Sequence, residues 1–343
     1  MAQLSQTEFL ATPGVNSEIR DWLARRSSMA GDWPVADLVR AKADRTVSVV
    51  LPARNEAATV GVIVEMIQET LMRRHPLVDE LVVVDSCSTD ATADVARSAG
   101  ARVVHQDEVL GHLPALDGKG EALWKGLCAT SGDIVAFVDA DLIGCPPEFV
   151  TGLLGPLLAD PGVAFVKGFY RRGLTHEGHT EPDGGGRVTE LVARPLLNLF
   201  WPRLAGFVQP LAGEYAGRRE VLEAVPFVAH YGIEIGLLID LLDLVGLDAL
   251  AQVDLGSRQH RHQSNEALAR MSTQIMRTVF ERLERSGRAV LPDTAAQLLQ
   301  FRHRGGDESH REIVVTEIDV PERPPLATVL AAEGAAAVPA RQS

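Results

Sequence analysis

Short apolar runs separated by helical repeats dominate the first half of the chain. Runs at 46–52, 81–85, 101–105, 134–138 and 163–170 are too short for helices and carry few alternating polar positions. Strands buried on both faces of a parallel sheet have this pattern. Between the first two runs Val60, Ile63, Val64, Ile67 and Leu71 recur at helical spacing. The polar cluster Ser86-Cys87-Ser88-Thr89-Asp90 offers a cap to a second helix ending near Ala99. A further helix is expected at 147–158. Strand, helix, strand, helix, strand in this rhythm predicts an α/β fold with a right-handed, doubly wound, mostly parallel sheet.

Later residues divide differently. A polar loop at 173–183 precedes a helix at 191–200, stopped by Trp201-Pro202. A strand–loop at 209–219, an apolar helix near 235–250 and a strand at 249–255 follow. The stretch 264–285 places Leu268, Met271, Ile275, Val279 and Leu283 on one helical face, a stripe suited to a core or a dimer interface. Residues 292–325 predict one more helix and a strand at 313–318, and the Ala- and Pro-rich tail after Pro324 predicts disorder. Residues 1–45 predict two short helices, at 18–26 and 37–43, and no strand. The expected organisation is an N-terminal extension (1–45), a nucleotide-binding half (46–172), an acceptor-binding half with C-terminal helices (173–325) and a disordered tail (326–343).

Charge and composition narrow the function. A net charge of −13 argues against nucleic acid, whose phosphates need a basic surface. The most apolar helix carries Asp240, Asp243 and Asp248 and predicts no membrane span. Cys87, Cys128 and Cys145 form no CxxC motif and read as reduced thiols. With no basic-then-apolar leader, these features predict a cytoplasmic protein. Lysine is scarce: Lys42, Lys119, Lys125 and Lys167 stand among many arginines.

The candidate chemistry lies at the ends of the apolar runs, where parallel sheets bind ligands. The run beginning at Ile134 stops at Asp139-Ala140-Asp141, whose carboxylates suit Mg²⁺ or Mn²⁺ beside substrate phosphates. After the first run comes Pro52-Ala53-Arg54-Asn55-Glu56 where a nicotinamide enzyme would have G-x-G-x-x-G, which argues against that class. Lys119 opens a helix, where freed backbone N–H groups favour a diphosphate. Near the second half's start, Gly186, Arg187, Val188 and Thr189 suggest an anion site, with Thr189 capping a helix that begins at Glu190. Glu234, near Tyr231 in the first turn of an apolar helix, suits either a structural or an active-site carboxylate. His260 and His262 offer imidazoles that suit a site begun by Asp141.

The strings VSVVLPARNEAATV, VVVDSCSTD, GKGEALWKGL, SGDIVAFVDADL, GGGRVTELVARPLL, YGIEIGLLID and AQVDLGSRQHR resemble the glucosyl-3-phosphoglycerate synthase family of actinobacteria. These are retaining glycosyltransferases of the GT-A fold, related to mannosyl-3-phosphoglycerate synthases. The resemblance runs from about Val47 to Arg261, and more loosely to about Pro325. It implies transfer of glucose from UDP-glucose to the 2-hydroxyl of 3-phosphoglycerate, with a divalent metal, by a homodimer. Pro52, Ala53, Arg54 and Glu56 would hold uracil and ribose, with Asp85 and Ser86 beside them. Lys119 would meet the donor diphosphate, Asp139 and Ala140 the nucleotide, and Asp141 with His260 the metal. Gly186, Arg187, Val188, Thr189, Arg258 and His262 would grip the acceptor. Leu211, Tyr231 and Glu234 would surround the hexose. Relatives tend to have an apolar residue at Arg54, Ser at Ala140 and Asn at His262. The near alternative is a mannosyl enzyme using GDP-mannose. More distant ones are a nucleotidyltransferase, which would carry a Gly-rich basic loop after the first strand, and a non-catalytic sugar-nucleotide binder.

Overall fold

In the computed structural model the described residues are 16–176, 179–181, 186–259, 264–292, 295–303 and 311–336. The strands are β1 (Ser27–Met29), β2 (Val47–Ala53), β3 (Glu80–Asp85), β4 (Arg102–His105), β5 (Ile134–Phe137), β6 (Phe165–His176), β7 (His179–Glu181), β8 (Tyr215–Arg218), β9 (Phe227–Val228), β10 (Leu250–Gln259), β11 (Gln297–His303), β12 (Arg311–Glu317) and β13 (Glu322–Arg323). The α-helices are α1 (Ser17–Arg26), α2 (Val35–Lys42), α3 (Val60–Met66), α4 (Thr92–Ser98), α5 (Lys119–Ala129), α6 (Glu148–Ala159), α7 (Arg194–Phe200), α8 (Arg219–Glu223), α9 (Ile233–Val245), α10 (Asn265–Arg285) and α11 (Leu326–Ala336).

The main sheet runs β1-β10-β6-β8-β5-β2-β3-β4, with β7 paired to β6. Its pairings are parallel except at β8, antiparallel to both β5 and β6, and at the β6–β7 hairpin. Alternation along β2 divides the core. Val47, Val49 and Leu51 face α3 and α6, while Val50 faces α5 and α9. On that second side Gly126 lets α5 lie close: a Cβ there would stand 2.4 Å from a Val50 methyl. Both faces are therefore covered, which is why the runs read as continuously apolar.

Several expectations need correcting. Residues 27–29 form an edge strand, β1, although they carry no apolar run; the register with Gln252–Asp254 of β10 selects them. The proposed boundary at 172 falls inside β6, and strands from both halves alternate in one sheet, so the halves are not separate units. Within the polar stretch at 173–183, residues 173–176 extend β6 and residues 179–181 form β7. Within 292–325 there is no helix among the described residues; β11 and β12 pair there instead. Of the tail expected to be disordered, residues 326–336 form α11, with Leu326 buried, and residues 337–343 lie outside the described residues. The α10 stripe is core: Ile275, Val279 and Leu283 are buried within this chain.

Candidate active site

A cleft of about 540 Å³ opens beyond the carboxyl ends of β2, β3 and β5. Pro52, Ala53, Arg54, Glu56, Ser86, Lys119, Asp139, Ala140, Asp141 and Tyr231 all line it. Sequence distances of almost two hundred residues thus converge as expected. Asp117, Gly118, Ala122, His230 and Gln274 line it too, residues with no signal beyond ordinary loop or helix polarity. Asp85 ends β3 outside the cleft lining: Oδ2 stands 3.0 Å from His105 Nδ1, while Oδ1 is buried without a partner. Ser86 donates its hydroxyl to Gln106 Oε1 at 2.7 Å.

Charge concentrates around Lys119. Lys119 Nζ sits 2.6 Å from Asp139 Oδ1 and 3.2 Å from Glu234 Oε1. Burial works against the ammonium, but Asp139 and Glu234 hold its pKa well above the ordinary lysine value. Burial likewise opposes ionised Asp139, and Lys119 and Arg258 overcome it, keeping that carboxyl far below the usual range. Glycine at 213 makes room for the pair, since a Cβ there would lie 2.3 Å from Lys119 Nζ. Lysine has three N–H donors, so with two facing carboxylates one remains for a phosphate oxygen.

The first turn of α5 differs from the expectation of freed backbone donors. Gly120 N and Glu121 N donate to the Ala229 carbonyl at 2.8 and 3.2 Å. Gly120 has to be glycine for this approach, because a Cβ would lie 1.8 Å from Val228 O. The anion-binding capacity here is the lysine side chain, not those N–H groups.

Arg258 was expected beside the acceptor residues. It is buried instead among carboxylates: Nη1 donates to Glu214 Oε1 at 2.5 Å, Tyr170 Oη at 3.0 Å and Asp139 Oδ2 at 3.2 Å, and Nη2 donates to Asp141 Oδ1. Glu214, fully buried, and Tyr170 carried no assigned role in the sequence. Nor did Lys167, whose Nζ donates to Ala212 O at 2.8 Å under the Tyr215 ring and whose pKa burial pushes down to about 7. Ala212 adjoins Leu211, the expected hexose neighbour, so Lys167 holds that loop from beneath.

Gly186, Arg187, Val188 and Thr189, expected at the acceptor, are not among the residues lining the cleft. Gly186 adopts φ +86° and its carbonyl takes the Glu190 N–H at 3.0 Å. Thr189 is buried inside the helical segment and is not its cap; Val188 occupies that position. Arg187 Nη1 donates to Asn265 Oδ1 at 2.8 Å, linking the segment to α10. His260 and His262 lie outside the described residues. Among the described residues no group of three or more His, Cys, Asp and Glu gathers for a metal. Asp141, with its side chain 40% exposed and Oδ1 taken by Arg258, still presents Oδ2, a hard oxygen donor suited to Mg²⁺ or Mn²⁺.

Comparison with known proteins decides the family. Residues 48–210 match Glycosyl transferase family 2. A glucosyl-3-phosphoglycerate synthase of Mycolicibacterium smegmatis is 52% identical over 90% of this chain and 98% of its own length. The chain belongs to the glucosyl-3-phosphoglycerate synthase family. A solved structure of the Mycobacterium tuberculosis synthase with Mn²⁺, UDP-glucose and phosphoglyceric acid superposes with a TM-score of 0.74 at 47% identity, covering 87% of this chain and 95% of that one. The mannosyl-3-phosphoglycerate synthase of Rubrobacter xylanophilus superposes at 0.83 with 43% identity, covering 91% and 98%. The fold is therefore GT-A-like, as the resemblance of the sequence implied.

Proposed function

We propose that this protein is a metal-dependent retaining glucosyltransferase that moves glucose from UDP-glucose to the 2-hydroxyl of 3-phosphoglycerate. The carrying observation is one cleft that gathers Pro52, Ala53, Arg54, Glu56 and Ser86 with Lys119, Asp139 and Asp141, Lys119 being paired to Asp139 and Glu234. Pro52, Ala53, Arg54, Glu56 and Ser86 would bind uridine. The unpartnered Asp85 Oδ1 suits an N–H or hydroxyl donor of that moiety. Lys119 turns its remaining donor to the diphosphate. Asp141 and His260 would hold the metal, which neutralises charge on the departing diphosphate.

Glu234 is anchored against Lys119 and orients the hexose with Tyr231 and Leu211. Its pairing supports a positioning role over that of a general base. Gly186, Arg187, Val188 and Thr189 would grip the acceptor, His262 being the further residue that the sequence resemblance assigns to it. Arg258 serves the metal end, holding Asp139 and Asp141 in place. Fixing a small trianion beside the anomeric carbon lowers the entropic barrier to transfer.

We assign the protein to the cytoplasm, where its free thiols stay reduced; no helix among the described residues is long and apolar enough to cross a membrane. A homodimer is also proposed. Leu299, Phe301, Ile313 and Val315 share one exposed face of the β11–β12 hairpin, an apolar surface suited to a second copy.

Purified protein with Mg²⁺ and 3-phosphoglycerate should release UDP from UDP-glucose, and release should stop without acceptor or with EDTA. GDP-mannose belongs in a parallel sample, because the mannosyl enzyme superposes at 0.83. Faster release from GDP-mannose would reassign the donor, and no acceptor-dependent release from either donor would overturn the 3-phosphoglycerate assignment.

A further inference from the structure

Residues 321–324 lie far beyond the segment matching the glycosyl transferase family, yet they are fastened to the helix that carries Lys119. Arg323 Nε and Nη2 each donate to a Glu121 oxygen at 2.7 Å, with both residues buried. Nη2 also reaches the Pro114 carbonyl at 2.6 Å, and the guanidinium lies 5.4 Å from the Trp124 ring centre. Trp124 Nε1 in turn donates to Pro324 O at 3.1 Å. All of these are contacts to α5 or the loop leading into it.

A second connection runs through the backbone. β13 pairs with β9, Arg323 opposite Phe227 and Glu322 opposite Val228, and Ala229 N donates to Pro321 O at 2.8 Å. The carbonyl of that same Ala229 receives Gly120 N and Glu121 N at the start of α5. A third connection reaches α9: Glu322 accepts from Arg282, whose Nη2 donates to Asp240 Oδ2 at 2.7 Å. Adjacent residues of β13 thus tie down both helices that meet at the Lys119–Glu234 pair.

We propose that Arg323 is a positioning residue which, through Glu121 and β13, sets the first turn of α5 so that Lys119 meets the donor diphosphate. This rests on the donor reading given above. Arg323→Met keeps the side-chain length and removes the fork, and Arg323→Lys keeps only the charge. Calorimetric titration with Mg²⁺ and either UDP or uridine separates the effects, since only UDP carries the groups that Lys119 would contact.

Arg323→Met should weaken UDP about tenfold while uridine changes less than about twofold. In turnover kcat should fall by about a hundredfold, with KM for 3-phosphoglycerate within about twofold, as misplacement at the reacting centre predicts. Arg323→Lys should recover part of the UDP affinity. Equal weakening of UDP and uridine in a folded variant would reduce Arg323 to a structural role and overturn the proposal, as would unchanged UDP affinity. If Arg323→Met does not fold, the double variant R323L/E121L removes both members of that pair together, leaving Lys125 to the carbonyls of Val109 and Leu110, and carries the same comparison. The titrations need no acceptor. A wild-type protein inactive with 3-phosphoglycerate, alongside selective loss of UDP affinity in the variant, would overturn the reaction and support the positioning role.

Discussion

Lys119 gathers the charge of the donor end, and its environment explains its expected effect. Removing it leaves Glu234 without its cation and Asp139 with Arg258 alone. Lys119→Ala should lower kcat/KM for UDP-glucose by about a hundredfold or more, the loss expected when a preorganised charge is taken from a transferring group. A fall of less than about threefold would contradict its role at the diphosphate.

Lys167 gives a different signature. Its folded pKa near 7 lies below that of an unfolded lysine, so between about pH 7 and 10 the unfolded chain binds more protons and stability rises with pH. Below that window the cost of a charged, buried ammonium is fully present. Lys167→Met lacks this titration, so its stability relative to wild type should be greatest near pH 7 and decline towards pH 10 in urea unfolding series. A difference independent of pH would contradict the buried charge. The sequence marked Lys119 because it opens a helix, but gave no such sign for Lys167, Glu214 or Tyr170. Their roles come from partners far along the chain, to which a sequence pattern is blind.

At the level of elements, the strands feeding the cleft were legible because burial on both faces leaves an unbroken apolar run. Asp139 and Asp141 were legible because polar residues end such a run abruptly. The edge strand β1 was not, since Ser27-Ser28-Met29 becomes a strand only when β10 supplies its partner. The start of α5 misled for the same reason: Ala229, a hundred residues away, occupies donors that local sequence leaves open. Gly120→Ala tests this contact directly. Its Cβ would meet the Val228 carbonyl at 1.8 Å, so α5 or β9 must shift. The substitution should cost about 1–3 kcal/mol, as overpacking does, and weaken UDP along with stability. Unchanged thermal unfolding would show that the α5–β9 contact is looser than described.

Across the whole molecule, both halves of the sequence build one sheet, and the C-terminal segment returns to the nucleotide-binding side. The boundary expected at 172 therefore falls inside a strand of that shared sheet. The β11–β12 hairpin protrudes with one apolar face exposed. If that face joins two copies, Phe301→Asp with Ile313→Asp should convert a dimer to a monomer in sedimentation; an unchanged dimer would move the interface elsewhere. The central claim, though, is the bond that is made. The most direct measurement is proton and carbon NMR of the product formed from UDP-glucose, 3-phosphoglycerate and Mg²⁺. The account predicts an α-linked glucosyl group on the 2-oxygen of an intact 3-phosphoglycerate. A β-linkage, glucose attached elsewhere, or free glucose as the only product would contradict it.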